Sequence, residues 1–337
     1  MTNSTNATPT NIALTGASGF LGRAIVETAV AHGLNVGALT RNTNAHRKGP
    51  SGRVTTHAYD PRTGDGLAEA FASTDTVIHA AGIAHRARGT VSEASYLADN
   101  GQACATVVAA AAAAGVRHVL FVSSISVYGD THGETFDESA PCHPLGPYAA
   151  SKYLGEQVAV ETGHRHNIPV TVLRLATVFG HEDPGNLVRL IRAVDRRRFV
   201  WIGSGHNRKT LIHRNDAAKA FVRAAQAGPQ TQTVYNVGAA IYTLADIVTT
   251  IADALDRRLP PLRLPEGWAR GASRLLHPIG TRGSRVAASI ERWLGDDAHT
   301  SERFATTYGF SPGVSLAAGI ADECAWYRDV QRSSTNR

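Results

Sequence analysis

The sequence is poor in cysteine, in regularly spaced metal ligands and in long apolar runs, and each shortage excludes something. Three cysteines, Cys104, Cys142 and Cys324, are odd in number and far apart, which rules out a disulfide framework and a thiolate zinc site. The 15 histidines show no H-E-x-x-H or similar ligand spacing, and "GHEDPG" (180–185) reads as a polar loop, so no metal is expected. The longest apolar run, "ATVVAAAAAAGV" (105–116), is too short and too rich in alanine to cross a bilayer. "MTNSTNATPTN" has neither positive charge nor an apolar centre, so it is neither a secretory signal nor an anchor. Residues 1–10 and 331–337 are expected to be tails, the first disordered, and the compartment cytoplasmic.

The formal net charge of +6 invites a nucleic-acid reading, but the arginines are spread along the chain. Only "DRRRF" (195–199) and "DRRL" (256–259) form small clusters, with no recognition motif of interleaved aromatics. Solvated helix faces are the expectation, and no nucleic-acid partner.

What is present is 337 residues at 43% hydrophobic content, enough for one large core or two smaller ones. Short apolar runs at 11–15, 34–40, 53–59, 75–81, 117–124 and 169–176 read as buried parallel strands. Segments at 20–32, 93–115 and 147–167 are suited to crossover helices. The fold class is therefore α/β, a doubly wound parallel sheet, with a dinucleotide-binding domain over 11–180. From 181 to 330 shorter strands ("RFVWIG", "KTLIH", "TVYNVG") mix with helices, which suggests a smaller lobe, partly interleaved with the sheet. The stretch 264–285 is open to three readings: amphipathic surface helix, substrate lid, or membrane-surface contact.

"LTGASGFLGRAIV" (14–26) places Gly16, Gly19 and Gly22 after a strand and at the opening of a helix. Gly16 permits the tight turn, Gly19 lets backbone approach a pyrophosphate at the positive helix end, and Gly22 allows close helix-to-sheet packing. Further along, "GPYAASKYLGEQ" sets Tyr148 and Lys152 at i and i+4 on one helix face. An ammonium beside a phenol favours the phenolate, which makes the pair proton-transfer machinery. "FVSSISVYGD" ends the fifth strand at the carboxyl edge of the sheet, where ligands of open α/β sheets bind.

The G-x-x-G-x-x-G spacing, Ser124 twenty-four residues before Tyr148, "HAAG" (79–82), Asn100, "LRLATVFG" (173–180), "IGSGHNRKTLIHRNDAAKAF" (202–221) and "YGFSPGVSLAAGIADECAWYR" (308–328) together resemble the extended short-chain dehydrogenase/reductases. That branch contains nucleotide-sugar epimerases, dehydratases and reductases. The resemblance implies a nicotinamide dinucleotide held by Gly16, Gly19, Phe20, Leu21, Gly22, Asp60, Ala80, Ala81 and Gly82, together with Tyr148 and Lys152. It also implies Ser124, Tyr148 and Lys152 as catalytic residues. A nucleotide sugar would be met by Ser124, Ser126 and Thr177, and its diphosphate by Arg208 or Lys209. Relatives that use NAD carry an acid at the end of the second strand. Here no Asp or Glu lies between Glu27 and Asp60, and Arg41 stands near that place, suited to a 2′-phosphate. NADP(H) is favoured, with NAD(H) the alternative. Family relatives dimerise through two helices, here spanning 100–114 and 148–160, so a homodimer is expected.

Within the family, sugar 4,6-dehydratases place an Asp-Glu pair after the serine, and decarboxylases a Glu. Here Ile125 and Ser126 follow Ser124, and neither serves as acid or base near neutral pH. Two reactions are left, reduction of a 4-keto sugar and 4-epimerisation with a retained cofactor. The missing ribose acid places reduction ahead. A non-catalytic dinucleotide sensor is the remote alternative, since such proteins typically lose the tyrosine or the lysine.

Overall fold

A computed structural model describes residues 11–41, 52–82, 101, 103–183, 185, 187–268, 271 and 294–335. The expectations placed on residues 1–10, on Asn100 and on most of 264–285 lie outside these.

Six strands form where short apolar runs predict them: β1 (Asn11–Thr15), β2 (Asn35–Thr40), β3 (Val54–Ala58), β4 (Thr76–His79), β5 (His118–Ser124) and β6 (Val170–Leu175), but β3, expected to be buried, lies at the sheet edge and has no buried residue. In β4 and β6 every residue is buried, as both faces of a parallel sheet require. The crossovers are α1 (Phe20–Ala31), the short α2 (Leu67–Phe71), α3 (Ala103–Ala113) and α4 (Gly146–Arg165). α2 was not expected. It is a single turn and a half, too brief for its apolar period to stand out.

After β6 the chain enters the lobe with β7 (Thr177–Phe179), α5 (Leu187–Asp195), β8 (Trp201–Ile202) and β9 (Arg208–His213). It then returns to the sheet with α6 (Arg214–Ala227) and β10 (Val234–Val237), and leaves again through β11 (Ala240–Thr243), α7 (Leu244–Leu255) and β12 (Arg263–Leu264). α8 (Glu302–Tyr308) and α9 (Leu316–Thr335) follow, and α9 reaches into the stretch expected to be a tail.

The main sheet has the order β10-β6-β5-β4-β1-β2-β3, all parallel. The winding therefore reverses between β1 and β4, and their carboxyl ends open the crevice in which such sheets bind ligands. One core packs α1 and α6 on one face of the sheet, and a second packs α2, α3 and α4 on the other. A third lies in the lobe, among α5, α7 and α9. α7 shows how local sequence sets an element. Thr243 and Asp246 form a reciprocal capping box at its start, and Leu244, Ile247, Val248, Ile251 and Leu255 repeat at helical spacing into the lobe core. No described helix is long and apolar enough to cross a membrane.

Candidate active site

The glycine turn is built so that side chains are excluded. Gly16 sits at φ +73°, and a Cβ there would stand 2.8 Å from the Ala81 amide nitrogen. A Cβ on Gly22 would meet the Gly16 carbonyl oxygen at 2.1 Å, so neither position admits alanine without backbone movement. Gly19 is the N-cap of α1, makes no side-chain capping bond, and no acid occupies the first turn. The helix end therefore presents amide donors and a positive dipole toward the crevice, which fits a pyrophosphate. Phe20 and Leu21 form that first turn and are partly buried.

Across the reversal point, the Ala81 amide donates to Thr15 Oγ1 at 3.1 Å, and the same hydroxyl meets His79 Nδ1 at 2.7 Å. These bonds fasten the end of β4 to the end of β1 and fix Ala80 and Ala81 against the turn. His79 is fully buried, and its Nε2 has no partner among the described residues. Burial first, then the Lys152 charge, brings its pKa down to about 3, so the ring is neutral. Gly82 is exposed. At the edge of β2, Thr40 is buried and Arg41 is exposed. Asp60 accepts from the amides of Arg62 (2.7 Å) and Thr63 (3.3 Å), which holds its carboxylate in the turn after β3.

Ser124 ends β5 in extended backbone, and its Oγ accepts from the Ser126 amide at 3.2 Å, capping the 3-10 turn Ile125–Tyr128. Ile125 is buried in the core, whereas the Ser126 hydroxyl is buried with no protein partner among the described residues. Tyr148 stands in the first turn of α4, half-buried, and Lys152 follows one turn on. The Lys152 Nζ donates to the Val122 carbonyl at 2.9 Å, which locks α4 onto β5 two residues before Ser124. Burial pulls the Lys152 pKa down, partly opposed by Cys104 and Glu156. A buried ammonium with one carbonyl bond retains donors for a ligand's hydroxyls.

Thr177 opens β7 opposite Leu211 of β9. The two candidates for the diphosphate are in different settings. Lys209 is buried and pairs with Asp297 Oδ2 at 3.4 Å. The Arg208 guanidinium donates to the carbonyls of Gly133 and Glu134 and to Thr135 Oγ1. Beside it a polar cavity of about 380 Å³ is lined by Asp130, His132, Ser204, His206, Asn207 and Asp296.

Two polar networks near the site escaped the sequence reading. Glu156, one turn beyond Lys152, accepts the Ser123 hydroxyl and two Arg174 donors, at 3.0 Å from Nε and 2.7 Å from Nη2. The Arg174 guanidinium lies 4.7 Å over the Tyr128 ring, and the Tyr128 hydroxyl donates to Asn236 of β10 at 2.8 Å. In the second network Glu182 accepts from Arg23 of α1 (3.0 Å) and from Arg214 (2.9 Å), whose fully buried guanidinium lies over Phe20. Burial opposes the Glu182 charge, but Arg214 and Arg23 hold its carboxyl below the ordinary range. The i+4 spacing of Lys152 and Glu156 was the one available signal for the first network. Nothing local marks Glu182.

A reversal-point crevice with a glycine turn, and a serine, tyrosine and lysine at its edge, defines a dinucleotide-binding scaffold of the Rossmann type. The comparison with protein families agrees: the model of the NAD dependent epimerase/dehydratase family matches residues 12–238, and the chain belongs to that family. It is 28% identical over 260 residues to the N-acetyl-alpha-D-glucosaminyl-diphospho-ditrans,octacis-undecaprenol 4-epimerase of Escherichia coli O157:H7, covering 76% of this chain and 75% of that one. It is 28% identical over 334 residues to a dTDP-glucose 4,6-dehydratase of Streptomyces griseus, covering 94% of both. The fold matches UDP-glucuronic acid 4-epimerase from Bacillus cereus in complex with NAD, with a TM-score of 0.74 at 19% identity over 95% of this chain and 99% of that one.

Proposed function

We propose that the chain moves hydride between a nicotinamide and C4 of a nucleotide-linked sugar, with 4-keto reduction as the net reaction. The carrying observation is the Ser124, Tyr148 and Lys152 set at the carboxyl edge of β5, followed by Ile125 and Ser126 where elimination chemistry needs acids. The bound nicotinamide supplies or accepts the hydride. Tyr148 moves the matching proton at the sugar oxygen, Ser124 orients that oxygen by a hydrogen bond, and the Lys152 ammonium holds the ribose and biases the phenol. The unpartnered Ser126 hydroxyl supports a sugar contact at the same edge. Of the two diphosphate candidates Arg208 is favoured, because its carbonyl partners are neutral while Lys209 would have to leave a carboxylate. The second reading, 4-epimerisation with NAD, draws support from the 4-epimerase relative.

The two readings part on cofactor consumption. With a panel of UDP- and dTDP-linked 4-keto sugars, reduction oxidises one NAD(P)H per sugar. Epimerisation instead inverts C4 of an ordinary nucleotide hexose with no net consumption. Activity in neither assay would favour a non-catalytic dinucleotide binder.

For the cofactor, the exposed Arg41 at the end of an acid-free β2 favours NADP(H). Arg41→Ala is expected to weaken NADP(H) binding by about 1–3 kcal/mol and leave NAD(H) nearly unchanged. Calorimetric titration of both cofactors checks this, and equal losses would make Arg41 structural.

We further propose a homodimer through α3 and α4, which pack on one another. The small residues Ala105, Ala109, Ala110 and Ala112 of α3 are only partly buried and permit close helix approach. Sedimentation equilibrium at micromolar concentration is expected to give twice the chain mass, and a monomer there would contradict it.

A further inference from the structure

The two arginine clusters of the sequence meet in the fold. Arg257 Nη2 donates to Asp195 Oδ1 at 3.0 Å across 62 residues of chain, and the Tyr327 hydroxyl occupies the other oxygen of the same carboxylate. With Asp195 engaged, Arg196, Arg197, Arg198, Arg257 and Arg258 are all exposed. Each cluster leads into one strand of the two-stranded β8/β12 ribbon. The ribbon is parallel, with Arg263 opposite Trp201 and Leu264 opposite Ile202, a register that carries Leu262 beside Val200. Trp201 turns into the lobe core, and the Arg263 guanidinium lies 4.6 Å over its ring.

The alternate residues form the opposite, outward face. Val200 is 43% exposed, Leu262 66%, Leu264 38%, and Trp268 beyond them 77%. These are four of the seven large hydrophobic side chains exposed among the described residues, so the exposed apolar surface is concentrated here. The chain that continues over 269–293 has the same charge sign, with five arginines against Glu291.

We propose that this ribbon face, with the arginine clusters at its start, docks on an anionic lipid bilayer surface. Arginines belong at acidic headgroups, an exposed tryptophan at the interface, and aliphatic side chains just below it. A nucleic-acid backbone would satisfy the arginines but give Val200, Leu262 and Leu264 nothing to bury against. A second copy on a two-fold axis would set this arginine-rich surface against another of the same sign. The bilayer alone uses both halves of the surface. The inference does not rest on the proposed reaction, since none of these residues belongs to the dinucleotide site.

Flotation of the full chain with vesicles of phosphatidylcholine alone, and of phosphatidylcholine with phosphatidylglycerol, tests it. Partition is expected only onto the anionic vesicles, with a blue shift of tryptophan emission. Arg197→Glu with Arg258→Glu is expected to lower partition by at least about tenfold. Leu262→Ser with Trp268→Ser, at unchanged charge, is expected to lower it about as much. Trp268→Phe should bind while losing most of the blue shift. Circular dichroism confirms that each variant is folded. The proposal is overturned by no partition onto anionic vesicles, by variants that partition like the parent, by duplex DNA that strips the protein from vesicles, or by the same substitutions dissolving an oligomer instead.

Discussion

Tyr148→Phe is expected to remove about 10² to 10⁴-fold of turnover while leaving the fold and dinucleotide affinity largely intact. The hydroxyl is the only atom lost, and it belongs to a half-buried side chain at the start of α4, outside the core. Lys152→Ala should behave differently in two respects. It removes the buried side chain proposed to hold the ribose, so cofactor affinity falls together with turnover. It also removes the positive charge beside the phenol, so the alkaline limb of the reductive pH profile moves to higher pH. Ser124→Ala should lower turnover without that movement. Steady-state rates across pH with the sugar identified by the panel check all three, and near-normal turnover in Tyr148→Phe would place the chemistry elsewhere.

Arg174→Met is expected to destabilise the protein by about 3–5 kcal/mol, the range for leaving one member of a buried ion pair unpaired. The side chains of Arg174 and Glu156 are 7% and 5% exposed, and among the described residues the carboxylate would retain the Ser123 hydroxyl as its hydrogen-bond partner. The double variant Arg174→Met with Glu156→Gln should recover most of the loss, because no uncompensated charge is left inside. Urea midpoints of the parent, the single and the double variant separate the two outcomes. Equal destabilisation by the single and the double would mean that packing, not charge, carries the effect.

The sequence made the first six strands and three of the crossover helices legible because strands of a parallel sheet are short, largely apolar runs and the segments between them are long enough for crossover helices. It also exposed the glycine turn, in which Gly16 and Gly22 leave no room for a side chain. Other features depend on contacts far apart in the chain. Arg174 is 18 residues from Glu156, and the pair forms only when α4 lies across β5 and β6. Glu182 meets Arg23 across 159 residues. "TVYNVG" was legible as a strand, yet nothing local says that it pairs with β6 in the main sheet rather than with β9 or β11 in the lobe. The arginine clusters and the stretch from 264 were visible in the sequence, but the ribbon face was not, because Val200 and Leu262 become neighbours only through the β8/β12 register.

The return of β10 to the edge of the main sheet constrains how the chain acquires its shape. The lobe is assembled from one stretch before α6 and another after β10, so its core cannot close while the polypeptide is still emerging up to that strand. Until then α5 and β9 wait with their apolar faces uncovered, and synthesis at a finite rate leaves that interval open to wrong partners. The nucleotide-binding half, whose contacts are largely complete once α6 and β10 have emerged, can already be consolidated at that stage. Maturation of the two halves is then sequential, with the dinucleotide crevice formed before the pocket that faces it.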